Sequence, residues 1–423
     1  MSRLATARWA AAALAAAGAA VLAVPTQAAP RTSWEKPVLV HAQQASRETS
    51  LAIDPTDSRR QFVCDPSGVP DVFDGQSYFH VTNDGGHKWK PIRVEGTVDS
   101  RQAAFEGGDC DVAYDAGGTM YTADTWLGNL SIGHSTDRGE TWQGTAVSGT
   151  SPVIDRPWLV GGKKGTLYVS YQDLQCCTPA AMWFMKSTDY GQTFTPAVPI
   201  TTALPSGLYT WEGNFVVAPN GNDLTLVYSR RTSGAVSVND APASIWVARS
   251  HDGGQTWNST LVASIPKETT SIYPAIGLDA GGILHVVWCA PAAKGNPVSY
   301  TSSADGGKTW RKPVALNPGK VGVAPWVAGG AKGHAAVVWL GSPDPAATDR
   351  TDSPWYFSYA KVSLSSSGKP TIETGNTTTK PVYEGRQTTP EFEMVRLDKR
   401  GKMHLGMSVF RNGAWALYTQ NEK

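Results

Sequence analysis

Acidic, cationic and aromatic side chains that could together cleave or bind a sugar recur in short stretches along the sequence. The candidate catalytic residues are Glu48, Asp109, Asp155, Glu212 and Glu391. Two nearby carboxylates can hydrolyse a glycosidic bond, one donating a proton and the other acting as base or nucleophile. The candidate substrate-binding residues are Arg47, Arg156, Tyr209, Trp211 and Tyr273. Arginine can hold a sugar carboxylate through two hydrogen bonds, and aromatic rings offer flat apolar faces.

The sequence offers less for other kinds of chemistry. Most histidines fall within expected strands or tight turns, so His41 is the histidine expected near the same site. The sequence has no Ser–His–Asp arrangement and no clustered Cys/His spacing for zinc. The acids from Asp65 to Asp74 do not follow a calcium-binding EF-hand loop. We therefore predict no metal ion and no cofactor.

The elements that position these residues are indicated by an internal repeat. A phrase of the form Ser/Thr-x-Asp-x-Gly-x-x-Trp/Phe occurs five times, with its aspartates separated by 53, 52, 63 and 53 residues. These aspartates are Asp84, Asp137, Asp189, Asp252 and Asp305. Asp can accept hydrogen bonds from nearby backbone N–H groups, and Gly supplies the positive φ of a tight hairpin. The phrase therefore predicts a β-hairpin turn with a folding role, not a catalytic one.

The sequence around each phrase predicts four short strands, which is the unit of a β-propeller blade. Seven blades are expected, around residues 48–97, 108–148, 153–200, 210–264, 271–317, 323–373 and 388–419. The sixth lacks the aspartate, and the seventh ends after about three strands. Residues 33–39 are similar to residues 309–315, which follow a complete phrase, so the N-terminal strand is expected to close the seventh blade. Six blades and an irregular tail are the alternative.

The five phrases resemble the Asp boxes (BNR repeats) of the sialidase, or neuraminidase, superfamily and of other Asp-box propellers. The resemblance covers essentially the whole mature chain, and it implies an all-β propeller. Sialidases use an arginine triad, a Tyr–Glu pair and an Asp, and their first arginine usually lies in an Arg-Ile-Pro motif. The corresponding stretch here reads Ser-Arg-Glu-Thr-Ser at residues 46–50.

The candidate residues precede or begin the first strands of several blades, and in a propeller these positions share one face, opposite the Asp-box turns. A ligand site at that channel mouth is expected, although the same acids and arginines could instead form ion pairs between blades. We predict a sialidase-like, exo-acting glycoside hydrolase. A non-catalytic propeller that binds a glycan or protein, and a polysaccharide lyase, are the alternatives.

Residues 1–28 have the basic start, apolar run and small-residue end of a secretory signal peptide, with a membrane anchor as the alternative. Residues 29–423 are expected to form a single domain. Removing the leader with its two arginines changes the formal charge from +1 to −1, which argues against a nucleic-acid partner. We therefore expect a secreted monomer without a membrane anchor, whose partner is a carbohydrate or glycoconjugate.

Five cysteines remain after such a leader. Cys64 and Cys110 fall on the same face of neighbouring expected blades, so a disulfide between them is plausible in an exported protein. Cys176 and Cys177 are adjacent in a loop, and could bond to each other or elsewhere. Cys289 ends an apolar strand and is expected to be a buried thiol.

Overall fold

The computed structural model describes residues 32–44, 48–66, 78–94, 97–98, 101–102, 105, 108–125, 130–147, 154–173, 181–201, 209–231, 244–265, 273–384, 390–411 and 413–423. The expected leader, together with Cys176 and Cys177, lies outside these residues. Within them the chain is all-β. Over the same residues the structure contains no helix long and apolar enough to cross a membrane.

Seven four-stranded antiparallel sheets form the blades of a β-propeller, which confirms the predicted fold. The strands of blades one to four are β2 Ser50–Ile53, β3 Gln61–Asp65, β4 Tyr78–Thr82 and β5 Lys90–Ile92; β8 Cys110–Tyr114, β9 Met120–Asp124, β10 Leu130–Ser135 and β11 Gln143–Val147; β12 Ile154–Gly161, β13 Leu167–Asp173, β14 Ala181–Ser187 and β15 Val198–Pro199; β16 Tyr209–Val217, β17 Leu224–Arg231, β18 Ser244–Ser250 and β19 Asn258–Ser264. Three further short strands lie outside the four-stranded pattern. Strands β6 Thr97–Val98 and β7 Arg101–Gln102 pair with each other, and β28 Tyr383–Glu384 pairs with β26 Pro354–Leu364 of blade six.

The remaining strands complete the ring. They are β20 Ala275–Leu278, β21 Leu284–Cys289, β22 Val298–Ser303 and β23 Val314–Ala315; β24 Val321–Gly329, β25 His334–Ser342, β26 Pro354–Leu364 and β27 Pro370–Asn376; and β29 Met394–Leu397, β30 Met403–Arg411, β31 Ala414–Asn421 and β1 Val38–Gln44. The first strands of neighbouring blades contact each other in order around the ring, from β2 through β29 and back to β2.

The N-terminal strand completes the last blade, as predicted. Strand β1 pairs antiparallel with β31, and an isolated bridge joins Trp34 to Glu422 just beyond it. This pairing makes the first and last parts of the described chain neighbours in one sheet. The edge that three strands would leave open is therefore covered, as in other closed propellers.

Each of the five Asp-containing phrases forms the turn between the third and fourth strands of a blade. In the turn of blade five, the Asp305 carboxylate accepts hydrogen bonds from the backbone N–H and the hydroxyl of Thr309, at 3.0 and 2.6 Å. The Gly307 N–H donates to the Ser303 hydroxyl at 2.9 Å, and Gly307 has φ +81°. These bonds satisfy the turn from within, so its residues serve the fold.

A buried aspartate joins the first three blades. Asp111 on β8 accepts a hydrogen bond from the Ser50 hydroxyl of blade one, and another from the Leu159 N–H of blade three at 2.7 Å. Its residue is 2% exposed. Burial raises the pKa of Asp111 to about 6, above its ordinary value of 3.8, although these hydrogen bonds act against the rise.

The raised pKa predicts a pH-dependent contribution from Asp111. An acid whose pKa is raised on folding stabilises most when protonated, below its unfolded pKa, and that contribution is lost as pH rises through the folded pKa. The stability of the wild type relative to Asp111→Asn should therefore fall by up to about 3 kcal/mol between pH 4 and pH 7. Urea unfolding of both proteins at the two pH values measures this difference. A difference that stays constant or grows with pH would contradict the assignment.

A disulfide links Cys64 at the end of blade one's second strand to Cys110 at the start of blade two, with Cα atoms 6.4 Å apart. This confirms the expected pairing, and Cys289 is a buried thiol as predicted. Because the bridge closes a 46-residue separation, its loss by Cys64→Ala with Cys110→Ala should cost about 2–4 kcal/mol. Denaturant unfolding measures the loss, and Cys289→Ala controls for removing a buried sulfur without a cross-link. Equal losses in both variants would show that the cross-link itself adds nothing.

Candidate functional site

The site lies where the first strands of the blades begin, and bulges in these strands shape it. Strand β12 shifts register between Asp155 and Trp158, and Arg156 within this bulge has φ +53°. Strand β24 carries the same shift, with Ala324 at φ +50°. Both residues precede a Pro-Trp pair. A side chain at positive φ is uncommon and is held by its surroundings, so Arg156 is directed by the fold.

Arg156 binds carboxylates from three other blades. Its Nη1 lies 2.9 Å from Glu48 Oε2, its Nη2 donates to Glu391, and its Nε lies 3.9 Å from Asp109 Oδ2. Blade three, which carries Arg156, is not a neighbour of blade seven, which follows Glu391. The guanidinium therefore reaches across the channel axis. Its side chain is only 9% exposed, so these ion pairs are screened little by water.

Asp155 adds a fourth carboxylate, and we call Arg156 with Glu48, Asp109, Asp155 and Glu391 the Arg156 cluster. Burial raises the pKa of Asp155 well above its ordinary range, and the hydrogen bond and negative charge of Asp109 raise it further. Burial also acts to raise the pKa of Asp109, but Arg156 and hydrogen bonds with Asp155 and Glu48 outweigh it and hold this pKa well below its ordinary range. Of these two acids, Asp155 is therefore the one that more readily holds a proton.

The pKa of Glu48 is shifted in the same direction as that of Asp155. Burial raises its pKa well above the ordinary value, and the neighbouring charges of Asp109 and Glu391 add to the rise that Arg156 opposes. Its backbone N–H donates to Asp65 at 3.2 Å, and an isolated parallel bridge joins Glu48 to Phe392. Blades one and seven are thus fastened together beside the guanidinium.

Two further acids lie deeper, between blades. Glu212 on β16 is fully buried, and burial followed by the charge of Asp155 raises its pKa well above the ordinary range. Glu393 is also fully buried, where it accepts the Ser408 N–H at 3.0 Å, and burial raises its pKa as well. In both cases burial favours the neutral form of the acid.

Aromatic rings support the cluster from below. The Arg156 guanidinium lies 4.4 Å from the ring centre of Phe392 and 5.3 Å from that of Tyr273. Trp158 packs against Trp326 and Phe392 with centre distances of 5.3 and 5.1 Å. Because Trp158, Trp326 and Phe392 come from blades three, six and seven, these three rings form an aromatic layer across the channel axis.

The structure brings together most of the residues predicted for the site. Glu48, Asp109, Asp155, Arg156 and Glu391 form one cluster, and Tyr273 lies against its arginine. Glu212 lies beside it, close enough for Asp155 to influence its charge. Arg47 and the side chain of Tyr209 are outside the described residues.

Several placements differ from the simplest expectation. Trp211 and Tyr273 are 8% and 7% exposed, and each ring packs edge to face against the other at 6.0 Å, so their surfaces are largely covered by protein. His41, expected near the channel mouth, lies on β1, the outermost strand of blade seven, with its ring 5.5 Å from that of His80. Sequence reasoning missed Phe392, Trp158 and Trp326. The repeated Pro-Trp pair could have indicated the two tryptophans.

No three His, Cys, Asp or Glu side chains converge to hold a metal ion in the part of the chain that the structure describes. The Arg156 cluster offers carboxyl groups for chemistry. Its guanidinium lies 2.9 Å from Glu48 and 3.9 Å from Asp109.

A seven-bladed β-propeller with an acid-rich cluster at one end of a closed channel is thus the class that fold and site define. No protein-family model matches the chain. A curated relative, xyloglucanase Xgh74A of Acetivibrio thermocellus, is 29% identical over 191 residues, which covers 41% of this chain and 21% of the relative. The chain thus matches about a fifth of that relative's length.

Solved structures are similar to this chain at low sequence identity. A Dyadobacter fermentans protein of unknown function has a TM-score of 0.51 at 13% identity, covering 93% of this chain and 100% of that one. The α-L-arabinanase of Penicillium chrysogenum in complex with arabinobiose has a TM-score of 0.49 at 13% identity, covering 82% and 99%. The sialidase NanB has a TM-score of 0.47 at 11% identity, covering 92% and 70%.

Proposed function

We propose that this protein is a secreted glycoside hydrolase that acts on a neutral glycan at the Arg156 cluster. The observation that carries the proposal is the gathering of carboxyl groups from several blades around Arg156. Among them the pKa of Asp155 is raised and that of Asp109 is lowered. Glycosidases use one protonated and one ionised carboxyl group, about 5–10 Å apart, as acid and as base or nucleophile.

The two acids would divide the reaction between them. Asp155 gives its proton to the leaving glycosidic oxygen, while the Asp109 carboxylate either attacks the anomeric carbon or takes a proton from the attacking water. Side chains of Asp109 and Glu391 are 23% and 21% exposed, so a substrate can reach this edge of the cluster. Arg156 holds Glu48 and Glu391 in place and keeps Asp109 ionised.

A neutral sugar fits this site better than an anionic one. Four carboxyl groups surround one guanidinium, and Glu48 and Glu391 already occupy both of its terminal nitrogens. A sialic acid carboxylate would have to displace these acids and would approach an acid-rich surface. The partial similarity to a protein named xyloglucanase supports the same direction. The proposed hydrolase is exo-acting and releases a terminal sugar.

Secretion is supported by two independent features of the chain. Residues 1–28 carry the signal-peptide pattern, and the Cys64–Cys110 disulfide is typical of proteins that fold in an oxidising compartment. The sequenced N-terminus of protein recovered from the medium of an expressing host tests the leader directly.

A non-catalytic glycan-binding propeller is the second candidate. It is favoured by the same ion pairs, because acids that are fully committed to holding Arg156 would be structural. Whether the protein is a glycoside hydrolase or a binding module therefore depends on whether it cleaves a glycan.

The deciding experiment is a substrate screen of the purified mature protein on neutral plant and microbial glycans, fluorogenic sialosides and uronic-acid polymers. Cleavage of a neutral glycan, lost in Asp155→Asn and yielding only monosaccharide, is the expected result. Cleavage of sialosides alone would reject the neutral substrate, and an unsaturated product from the uronic-acid polymers would indicate a lyase. Glycan binding without any turnover would establish the binding module. Glu212→Gln serves as the matched variant at a neighbouring buried acid.

A further inference from the structure

The channel has a second opening, at the face opposite the Arg156 cluster. A cavity of about 540 Å³ lies there, lined by the first strands of all seven blades. Trp158 and Trp326, which belong to the aromatic layer, lie at its inner end. The seven first strands and the turns that follow them are all within the described residues. Its volume is within the range of sites that bind small molecules.

A cation without an acidic partner lines this cavity. Arg396, in the first strand of blade seven, has no carboxylate within 4.0 Å among the described residues. Its Nη1 donates a long hydrogen bond of 3.5 Å to the backbone carbonyl of Val395. Its guanidinium lies 5.7 Å from the ring centre of Trp326. Burial lowers the pKa of Arg396, so the charge is held at a cost that a bound anion would relieve.

The nearest acid in the cavity is already occupied. Asp111 influences Arg396 electrostatically, but its oxygens accept the Ser50 hydroxyl and the N–H groups of Val112 and Leu159. Asn214, another polar residue of the lining, exchanges both of its amide hydrogen bonds with the backbone of Ile276. The guanidinium is therefore the polar group left available to a ligand.

Exposed cations surround the mouth of the cavity. They lie in the turns after the first strands of blades three, six and seven, and they are Lys163, Lys164, Lys332, Lys399 and Arg400. None has an ion-pair partner in the described part of the chain. The equivalent turns also carry acids, of which Asp54 pairs with Arg60 at 2.7 Å and Asp279 accepts the Gly333 N–H at 2.6 Å. The exposed lysines and arginine would attract an anion toward the cavity.

We propose that this cavity is a binding site for a small organic carboxylate of about monosaccharide size. Arg396 would bind the carboxylate through paired hydrogen bonds. The apolar walls and the tryptophan end would contact the rest of the ligand. The site is separated from the Arg156 cluster by the aromatic layer, and it does not depend on whether that cluster is catalytic.

Calorimetric titration of the full mature protein with glucuronate, glucose and sulfate tests the proposal. Glucuronate should bind, with an affinity that falls as salt is raised, whereas glucose should not bind measurably. Arg396→Met should lower glucuronate affinity at least 10-fold, and Lys164→Gln about 2- to 3-fold. Lys308→Gln, in the third-to-fourth strand turn of blade five, should leave it unchanged.

Absence of glucuronate binding to the wild type overturns the proposal, whatever the variants do. The proposal is also overturned if glucose binds as tightly as glucuronate, or if folded Arg396→Met binds glucuronate with wild-type affinity. Sulfate binding as tight as glucuronate binding overturns it too, because the site would then not select an organic carboxylate. Arg396→Lys keeps the charge without the planar fork and should show an intermediate loss, which gives a second measurement if the methionine variant folds poorly.

Discussion

Arg156→Met should destabilise the protein by about 3–5 kcal/mol at neutral pH, the range found when one partner of a buried ion pair is removed. The guanidinium is 9% exposed and holds Glu48, Asp109 and Glu391 from three other blades. Without it, these acids would repel each other in a site where water replaces the lost charge poorly. Methionine has similar length and apolar character, so the change removes mainly the charge and the hydrogen bonds.

The pH dependence of this loss has a definite sign. The charge of Arg156 opposes the rise in the pKa of Glu48 and lowers the pKa of Asp109. Removing this charge should therefore raise both pKa values in the folded protein. The variant's stability is then highest where the acids are protonated, and it falls as pH rises through their folded pKa values. Guanidinium chloride unfolding at pH 4 and pH 7 should show most of the loss at pH 7.

An exposed pair provides the matched control for Arg156. Arg59 also binds an aspartate, at 2.8 Å from Asp57, but its side chain is 72% exposed. Arg59→Met should change stability little, as expected for a surface ion pair. If Arg156→Met were as mild as this control, or equally destabilised at both pH values, the cluster would not be held together by charge.

The fold could be predicted from the sequence because its turns are chemically self-contained. Asp305 and Gly307 satisfy their hairpin from within eight residues, and the same arrangement recurs in five blades. Closure of the ring could also be predicted, since residues 33–39 are similar to a strand that follows such a turn. Both features depend on short stretches of sequence, so they can be recognised without knowing the fold.

The gathering of the acids could be predicted, but their partners could not. First strands that begin on one face must bring Glu48, Asp109 and Glu391 near the channel axis. Which blade each side chain would reach depends on the bulge at Arg156, and nothing in the residue types fixes that positive φ. Glu391 and Glu393 show the same limit, because a two-residue spacing normally places side chains on one face. Here Glu391 binds Arg156, whereas Glu393 accepts the Ser408 N–H.

The position of Arg396 in the cavity could not be predicted from the sequence. In the sequence it is one arginine in a short strand, Met-Val-Arg-Leu, with no feature that separates it from an exposed residue. Its position in a cavity beside Trp326 depends on the ring being closed by seven blades of the observed size. No local pattern contains that information.

Asp155→Asn should lower kcat on the preferred glycan by about 10²- to 10⁴-fold, the usual contribution of a general acid. The same substitution should leave stability at pH 7 unchanged or slightly increased. Burial and Asp109 keep Asp155 protonated, so the neutral amide resembles the state already present and removes the cost of ionising a buried carboxyl. If Asp155 were a purely structural acid, Asp155→Asn would keep its activity and lose stability.

Asp109→Asn should also abolish most activity, but for a different reason and with a different stability. Its carboxylate is the ionised member, and the charge of Arg156 favours that state. The amide would lose this attraction, so Asp109→Asn should be destabilised at pH 7, where Asp155→Asn is not. Steady-state kinetics across pH should show the alkaline limb of kcat, set by loss of the Asp155 proton, missing from the residual activity of Asp155→Asn. Full activity in Asp155→Asn would exclude it as the acid, and equal stability losses in the two variants would contradict their opposite protonation states.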